Sequence, residues 1–252
     1  MNNKLKIIII FIFLFGIVFS LFKIITWKID NDENEMIQEK AKKLIIDENK
    51  DKVKEENKNE SLEEKYNIDF KKLKEQNSDT IAYLKVNGTD IDYIVVKGKD
   101  NDYYLHHNFE KKYNIAGWVF ADYHNKYDNQ DKNLVIYGHN MQNGSMFGTL
   151  KNILNEEWYS NEDNHKIVLV TESGTYIYKV FSTYSIKPEN YYIKTDFNSD
   201  DEYNEFISIL KSRSIYNYDT DLNDTAQILT LSSCTARGTK RVVLHAKLIS
   251  KI

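Results

Sequence analysis

The hydrophobic positions of the chain follow three patterns, and the first is a continuous apolar run near the N-terminus. Between Lys6 and Lys23 the sequence IIIIFIFLFGIVFSLF contains no charge. About 16 residues at ~1.5 Å each form roughly 24 Å of helix, slightly short of a ~30 Å bilayer core. Flanking apolar residues lengthen the stretch if Lys23 extends its amine to the interface, where Trp27 is also well suited. Residues 1–28 are therefore predicted to form one transmembrane helix.

A cleaved signal peptide is the alternative explanation of this run. Its apolar region would be shorter and followed by a cleavage site of small residues, whereas SLFKIITWKID offers none. A retained anchor is therefore favoured. A short N-terminal tail before a long C-terminal region predicts a single-pass protein of the cell membrane whose main domain is extracytoplasmic.

The second pattern, over residues 29–68, is polar with few apolar positions. Glu, Lys and Asn dominate from Asp30 to about Lys65. Such a segment buries little apolar surface, which predicts a solvated helical stalk or a partly disordered linker. Its sparse apolar residues are Met36, Ile37, Leu44, Ile45 and Ile46.

The third pattern, over residues 69–252, consists of short apolar runs separated by turn residues. Asn87-Gly88 between IAYLKV and IDYIVV is a hairpin signal. Six further strand-like runs are WVFA, NLVIYG, KIVLV, TYIYKVFSTYSI, QILTLSSC and RVVLHAKLI. Short helices are predicted over 101–109, 146–154 and 202–212. This pattern predicts a mainly β domain of eight strands, a barrel or a sandwich, with inserted short helices.

Composition and charge narrow the function. The 252 residues, 41% of them hydrophobic, suffice for one domain with a core plus an accessory segment. A net charge of −4 with interspersed signs provides no basic field, so nucleic acid is excluded as a partner. The histidines lack paired ligand spacing and only one cysteine is present, so neither a metal site nor another cofactor is expected.

The single cysteine, Cys234, is the first candidate for chemistry. Without a second cysteine it cannot form an intramolecular disulfide, so it is inert, joined to another molecule or reactive. Strand alternation in QILTLSSC places Cys234 at the strand end, on the more polar face with Thr230 and Ser232.

The next strand begins with Arg241, which alternation places near Cys234. The apolar face of this strand consists of Val242, Leu244, Ala246 and Leu248. Arg241 and His245 therefore share the opposite, non-core face. A guanidinium close to a thiol favours the thiolate, so this placement supports a reactive cysteine.

Thiol chemistry on a peptide also needs a proton carrier, usually a histidine. His139 is the best placed of six, because NLVIYGHNMQNGSMFG carries it from a strand end into a loop rich in Gly and Asn. His245 lies in the middle of a strand and is interpreted as a surface residue. The remaining histidines have no comparable setting.

Taken together, these segments resemble the sortases, the cysteine transpeptidases of Gram-positive cell surfaces. The family pattern is similar to TLSSC followed by RVVLHAKLI, with YGHNM about a hundred residues earlier and an N-terminal membrane anchor. KDNDYYLHHNF, GWVFADYHN and DEYNEFISILKSRSIYNYD resemble the class B members in particular. The resemblance runs from Asp69 to the C-terminus and implies an eight-stranded β-barrel.

The resemblance also implies residue roles and a reaction. Cys234 would be the nucleophile, His139 the general acid and base, and Arg241 the electrophilic stabiliser. The implied lining of the substrate groove is Asn101, Leu105, Tyr192, Ile193 and Ser232. The expected partners are exported proteins bearing a C-terminal sorting signal, of Asn-Pro or Ser-Pro type, and an amine of the peptidoglycan cross-bridge that receives the acyl group.

The chain departs from the family pattern at two places. Ser233 stands where many members carry Thr, and its side chain is predicted to point away from the face that bears Cys234. The connection from Cys234 to Arg241 is shorter than in some class B members, which bears on contacts with the second substrate. Arg237 within it is expected to be a solvated loop charge or a contact to the acceptor.

Two other functions compete with this interpretation. Another cell-wall cysteine enzyme, a peptidoglycan hydrolase or an L,D-transpeptidase, is the first. Cysteine hydrolases of the wall generally place Cys at a helix start with His later in the chain, whereas here His139 precedes Cys234 and Cys234 ends a strand. A non-catalytic surface adhesion module is the second, and it would tolerate loss of the thiol.

Overall fold

The computed structural model describes residues 3–47, 66–127, 131–222, 226–234 and 239–252 of the chain. Its α-helices are α1 (Asn3–Lys42), α2 (Phe70–Gln76), α3 (Glu156–Ser160) and α4 (Asp200–Ser212). Its strands are β1 (Ile45–Asp47), β2 (Tyr66–Ile68), β3 (Thr80–Val86), β4 (Asp92–Val96), β5 (Phe120–Ala121), β6 (Asn133–His139), β7 (Lys166–Thr171), β8 (Gly174–Ile186), β9 (Ile228–Cys234) and β10 (Arg241–Lys251). Short 3₁₀ turns cover Tyr103–Leu105, Gly148–Leu154, Glu162–His165 and Tyr191–Ile193.

Within the described residues, eight strands close into a barrel, which confirms the predicted architecture. Their order is β10-β8-β7-β3-β4-β5-β6-β9, and β9 pairs with β10 to complete the ring. The β3–β4 hairpin turns at Asn87-Gly88, where Gly88 has a φ of +68° in the left-handed region that favours glycine. The pair β6–β9 is parallel. Parallel strands need a long connection, and β7, β8 and α4 all lie within it.

The main core lies where strand alternation predicts it. On β10, Val242, Leu244 and Ala246 belong to this core, and on β9 Leu229 and Leu231 do so. Side chains at every second position point to the same face, so these residues share one side of the sheet. Their burial removes apolar surface from water and stabilises the barrel.

The opposite face of β9 and β10 is buried as well, contrary to the expectation of a non-core face. The apolar side of α4 packs there, with Tyr203 and Phe206 in one cluster with Val243. His245 is fully buried, so its interpretation as a surface residue was wrong. The helical apolar spacing of α4 required a partner surface, and the sequence did not indicate which face of which strands would supply it.

The N-terminal helix α1 runs without a break from Asn3 to Lys42. It is long and apolar enough near the N-terminus to cross a membrane. The expected domain boundary near residue 28 falls inside this helix. Of the expected linker, residues 29–68, the segment 48–65 lies outside the described residues.

The second half of α1 is not a fully solvated stalk, because one side of it docks on the barrel domain. Its buried residues are Asn31, Asn34, Ile37, Gln38 and Ala41. Asn34 donates to the Asn114 side chain (3.1 Å) and to the Gly117 carbonyl (3.2 Å). The few apolar residues of this segment did not indicate the docking. Amide side chains three and four residues apart share one helix face and dock it by hydrogen bonds instead.

The predicted helices are confirmed in part. The helix at 202–212 is α4, whereas 101–109 and 146–154 contain only the 3₁₀ turns Tyr103–Leu105 and Gly148–Leu154. The short helices α2 and α3 were not predicted. The signal for α2 was Asp69, whose carboxylate accepts a hydrogen bond from the Lys72 N–H at 3.0 Å as an N-cap.

Docking of α1 on the barrel domain predicts that two N-terminal truncations differ in stability. A chain of residues 28–252 keeps the docked segment, so the stability of the barrel domain should be unchanged. A chain of residues 43–252 loses the buried Ile37 and the amide hydrogen bonds, which should lower the free energy of unfolding by about 2–4 kcal/mol. Urea unfolding measures both. Equal midpoints for the two chains would show that the helix contributes nothing to the domain.

Candidate active site

Two neighbouring parallel strands bring a histidine and the cysteine together. In the register of β6 and β9, His139 pairs with Cys234, and each is the last residue of its strand. The Asn140 N–H donates to the Cys234 carbonyl at 2.8 Å, which fixes the two strand ends side by side. Parallel strands end at the same edge, so residues about a hundred positions apart in sequence become neighbours.

Arg241 joins this pair from the other neighbour of β9. A terminal guanidinium nitrogen of Arg241 lies 3.5 Å from the Cys234 sulfur. Strand alternation predicted this proximity, and the contact confirms it. Arg237, the alternative arginine, lies outside the described residues.

The surroundings of the site disfavour charge on both the thiol and the imidazole. Burial raises the pKa of Cys234, and the Arg241 charge and hydrogen bond oppose only part of that rise. Burial also lowers the pKa of His139, while the backbone carbonyls of Leu105 and Cys234 pull in the other direction. The neutral pair of thiol and imidazole is therefore the dominant form near neutral pH.

Leu105 contacts the site through its backbone. Its carbonyl lies 2.8 Å from His139 Nε2. A carbonyl oxygen can only accept, so Nε2 carries a proton in this arrangement. The groove prediction concerned the Leu105 side chain, which is half-buried, and this backbone contact was not anticipated.

Asn101 is held in a defined orientation by Asp122, a residue to which the sequence analysis gave no role. The Asn101 amide donates to an Asp122 carboxylate oxygen at 2.9 Å, and its own oxygen accepts from the Tyr123 N–H at 3.1 Å. Burial alone would raise the pKa of Asp122, but hydrogen bonds from Tyr137, His124 and Asn101 lower it. Asp122 lies in GWVFADYHN, so the signal was a carboxylate within a segment already recognised as class B-like.

The other three predicted groove residues lie at different depths. Tyr192 and Ser232 are fully buried, and their hydroxyl oxygens are 3.0 Å apart. Ile193 is half-buried. Direct substrate contact by these residues stays a prediction, and the burial of Tyr192 and Ser232 places them beneath the surface near Cys234.

A buried polar network anchors the turn that carries Tyr192. The Asn133 amide donates to the Lys194 carbonyl at 2.9 Å, and its oxygen accepts from the Thr230 hydroxyl at 2.6 Å. Thr230 also contacts His245 Nδ1 at 2.8 Å. Burial lowers the pKa of His245 to about 3, so its ring is neutral. The network links β6, β9 and β10 to the turn, and sequence reasoning did not find it because its members lie far apart in the chain.

Ser233 ties the first residues of β10 to the cysteine strand. Its hydroxyl oxygen accepts a hydrogen bond from the Val242 N–H at 2.9 Å, and both residues are buried. Val242 follows Arg241 directly, so this bond fixes the backbone from which the guanidinium extends. The departure from Thr at this position keeps the hydroxyl that the contact requires.

A thiol, an imidazole and a guanidinium thus lie together at one edge of a closed barrel. The model of the Sortase domain family matches residues 84–249. The chain therefore belongs to the sortase family, whose members are cysteine transpeptidases.

Its relatives place it in class B of that family. Sortase B of Staphylococcus aureus is 32% identical over 184 residues, which are 71% of this chain and 74% of that protein. The structure of sortase B from Bacillus anthracis is 34% identical, with a TM-score of 0.73, over 88% of this chain and 99% of that chain. Clostridium perfringens sortase B is 38% identical, with a TM-score of 0.67, over 72% of this chain and 100% of that chain.

The Ser233 contact predicts a graded effect of substitution on activity and stability. Ser233→Ala leaves the buried Val242 N–H without a partner, which should cost about 1–3 kcal/mol of stability and lower turnover through a misplaced Arg241. Ser233→Thr keeps the hydroxyl and should retain most of both. Urea unfolding and peptide cleavage rates measure the series. Equal rates for the Ala and Thr variants would show that the tether does not position Arg241.

Proposed function

We propose that this enzyme cleaves a C-terminal sorting signal of exported proteins after its Thr residue and joins the acyl group to a peptidoglycan cross-bridge amine. The observation that carries the proposal is the convergence of Cys234, His139 and Arg241 at one barrel edge. Likeness to class B relatives supports a signal of the Asn-Pro or Ser-Pro type. We assign Cys234 as nucleophile, His139 as general acid and base, and Arg241 as electrophilic stabiliser.

The first half-reaction forms a thioester on the enzyme. The Cys234 thiolate attacks the Thr carbonyl carbon, and the carbonyl oxygen becomes an oxyanion. Arg241, already beside the sulfur, donates hydrogen bonds to that oxyanion. The protonated His139 gives its proton to the leaving amine as the C–N bond breaks. Without this proton the intermediate would expel the thiolate and return to substrate.

The second half-reaction forms a new amide bond. The acceptor amine attacks the thioester carbonyl, and neutral His139 takes up the proton that the amine releases. The C–S bond then breaks and Cys234 leaves as a thiolate. One amide bond is broken and one is made, so no oxidant, reductant or nucleotide is consumed.

The groove beside the cysteine is proposed to hold the sorting signal. The partly exposed side chains of Asn101, Leu105 and Ile193 are its candidate contact residues. Tyr192 and Ser232 support the groove from below. Because Asp122 fixes the Asn101 amide, a polar group of the signal would meet a preorganised partner there.

The helix α1 is proposed to be a single-pass membrane anchor with the barrel on the outer face. A continuous helix from the apolar run to the docked segment supports this arrangement, because it holds the barrel directly beside the membrane. Exported clients and wall precursors meet the enzyme on that side.

A peptide panel tests the proposed function. Residues 28–252 are incubated with pentapeptides beginning Asn-Pro, Ser-Pro and Leu-Pro, with and without a cross-bridge amine, and products are measured by mass spectrometry. We expect cleavage after Thr in an Asn-Pro or Ser-Pro peptide and an amide product when the amine is present. Absence of any cleavage product across the panel would contradict the proposal.

Three variants serve as controls for this assay. Cys234→Ala should abolish cleavage and transfer while the fold is retained, since the half-buried thiol adds little packing. His139→Ala should be nearly as severe because the leaving amine loses its proton donor. His106→Ala, an exposed histidine on the neighbouring turn, should stay within a few-fold of the parent. Retained cleavage by Cys234→Ala would rule out the cysteine mechanism.

The pKa shifts predict a wide pH profile with a small active fraction. The acid limb of kcat/KM should lie below the ordinary 6.5 of histidine and the alkaline limb above the ordinary 9.0 of cysteine. Only a minor fraction of the enzyme holds thiolate and imidazolium together, so turnover should be slow. Arg241→Ala should move the alkaline limb to still higher pH and lower the rate about 10²-fold or more.

Two matched variants test the assignment of Arg241 as the electrophilic stabiliser. Arg241→Lys should rescue poorly, because an ammonium cannot reproduce the guanidinium fork. Arg237→Ala should remain within about tenfold of the parent, because the variant keeps the Arg241 guanidinium beside the Cys234 sulfur. A larger loss for Arg237→Ala than for Arg241→Ala would transfer the role to Arg237.

A further inference from the structure

One loop of the barrel domain contacts α1 just above its apolar segment. The Ile115 N–H donates to the Asp30 carboxylate at 3.0 Å, and the Asn114 side chain donates to the Asp30 carbonyl at 2.9 Å. Lys112 adds an ion pair with Glu33 at 3.5 Å. These contacts fix residues 112–115 beside the turn of α1 that contains Asp30.

The position of Asp30 along α1 sets the distance of this loop from the apolar segment of the helix. Asp30 follows Trp27 by three residues, which is roughly 4.5 Å along a helix. The headgroup layer on each side of a bilayer core is about 5–8 Å thick. If Trp27 marks the interface, residues 112–115 lie at headgroup level. A docking contact further along the helix, from Gln38 to Asp92, lies about 16 Å beyond Trp27 and well clear of the lipid.

The loop presents an aromatic and an aliphatic side chain at this height. Tyr113 is 71% exposed and Ile115 is 45% exposed, whereas Asn114 between them is fully buried. Tyrosine suits a membrane interface, because its ring is apolar and its hydroxyl remains hydrated. Because the buried Asn114 fixes the backbone between them, the side chains of Tyr113 and Ile115 are held facing solvent.

The charges around these two side chains are largely paired. Lys112 is 2.7 Å from Glu110 as well as 3.5 Å from Glu33, and Lys111 is 2.9 Å from Asp79. Asp30 is occupied by the Ile115 N–H. A contact made here therefore depends on apolar and aromatic burial more than on attraction to anionic lipid.

We propose that Tyr113 and Ile115 form a second membrane contact, entering the headgroup layer of the bilayer that α1 crosses. This inference rests on the proposed anchor role of α1. The contact restrains the tilt of the barrel relative to the membrane. Backbone hydrogen bonds connect this loop to the active site. The Asn114 N–H donates to the His106 carbonyl at 2.9 Å, and the carbonyl of the preceding residue, Leu105, contacts His139.

Lipid quenching of a single labelled cysteine tests this contact in the full chain. Tyr113→Cys and Ile115→Cys are made separately in a Cys234→Ala background, labelled with an environment-sensitive fluorophore and reconstituted into phosphatidylcholine–phosphatidylglycerol vesicles. Replacing part of the lipid with brominated lipid should lower the emission of both labels at least twofold. Raising the salt concentration should leave that quenching unchanged.

Two further labels provide the controls. Leu14→Cys, within the apolar run, reports insertion of α1 itself and should be strongly quenched. Ile252→Cys is a matched distant site, since Ile252 is 41% exposed and lines a cleft with Ile68 and Phe70. That cleft adjoins Asp69, which bonds to Leu44, about 25 Å beyond Trp27 along the chain direction of α1. The Ile252 label should be unquenched.

The outcomes separate this inference from the anchor. Quenching at Leu14, Tyr113 and Ile115 but not at Ile252 supports the contact. Quenching at Leu14 alone overturns the contact and leaves the anchor proposal intact. If the Ile115 label becomes buried only as the protein concentration rises, it packs against a second copy of this chain, and this outcome also overturns the membrane contact. Equal quenching at Ile252 also overturns it. An unquenched Leu14 label removes the anchor and this inference together, while peptide cleavage by residues 28–252 still tests the chemistry.

Discussion

The parallel pairing of β6 with β9 is the interaction on which the active site depends. It aligns the last residue of each strand, so His139 and Cys234 meet at one edge of the barrel. Closure of the barrel then brings β10 to the other side of β9, and Arg241 starts beside the sulfur. A shift of one residue in either register would turn the relevant side chains to the other face of the sheet. The ladder hydrogen bonds therefore preserve the chemistry as well as the fold.

The same closure creates an electrostatic conflict at the site. Burial favours the neutral thiol and the neutral imidazole, although the proposed chemistry uses the charged form of each. Arg241 lowers the pKa of Cys234 and two backbone carbonyls raise that of His139, but neither effect cancels the shift caused by burial. Asp122 fixes the side chain of Asn101, and Asn133 fixes the turn bearing Tyr192, so both residues proposed for the substrate groove are held in defined positions. Asp122 and Asn133 are both buried, so their hydrogen bonds do not compete with water.

The helix α1 joins an apolar segment long enough to cross a membrane to the barrel domain. Its apolar half is suited to a membrane. Its polar half is held on the barrel domain by amide hydrogen bonds, since Asn34 donates to Asn114 and Asn31 accepts from Asn143. A continuous helix transmits orientation because its backbone hydrogen bonds resist bending. The loops that contact α1 also flank His139, so the docking fixes the orientation of the active site relative to this helix.

The sequence by itself determined the parts of this protein that depend on local pattern. Alternation of apolar residues indicated the eight barrel strands and the core face of β10, and the uncharged run indicated a helix that could cross a membrane. Alternation also predicted that Arg241 would approach Cys234. A strand end followed by a loop rich in Gly and Asn indicated His139 as the candidate proton carrier, and the family resemblance implied the same role. These features depend on neighbours in the chain, or on strands next to each other in sequence, where periodicity is informative.

Only the tertiary structure decided which surfaces meet. The burial of His245 beneath α4, the tether from Ser233 to Val242 and the role of Asp122 at Asn101 all join residues whose partners the local pattern does not specify. The docking of α1 was missed for a related reason: Asn34 and Gln38 are polar, and a polar residue shows its binding partner only when a complementary group is placed opposite it. Hydrophobic burial is nearly non-directional and leaves a periodic trace in sequence, whereas hydrogen bonds between distant segments depend on a geometry that exists only after folding.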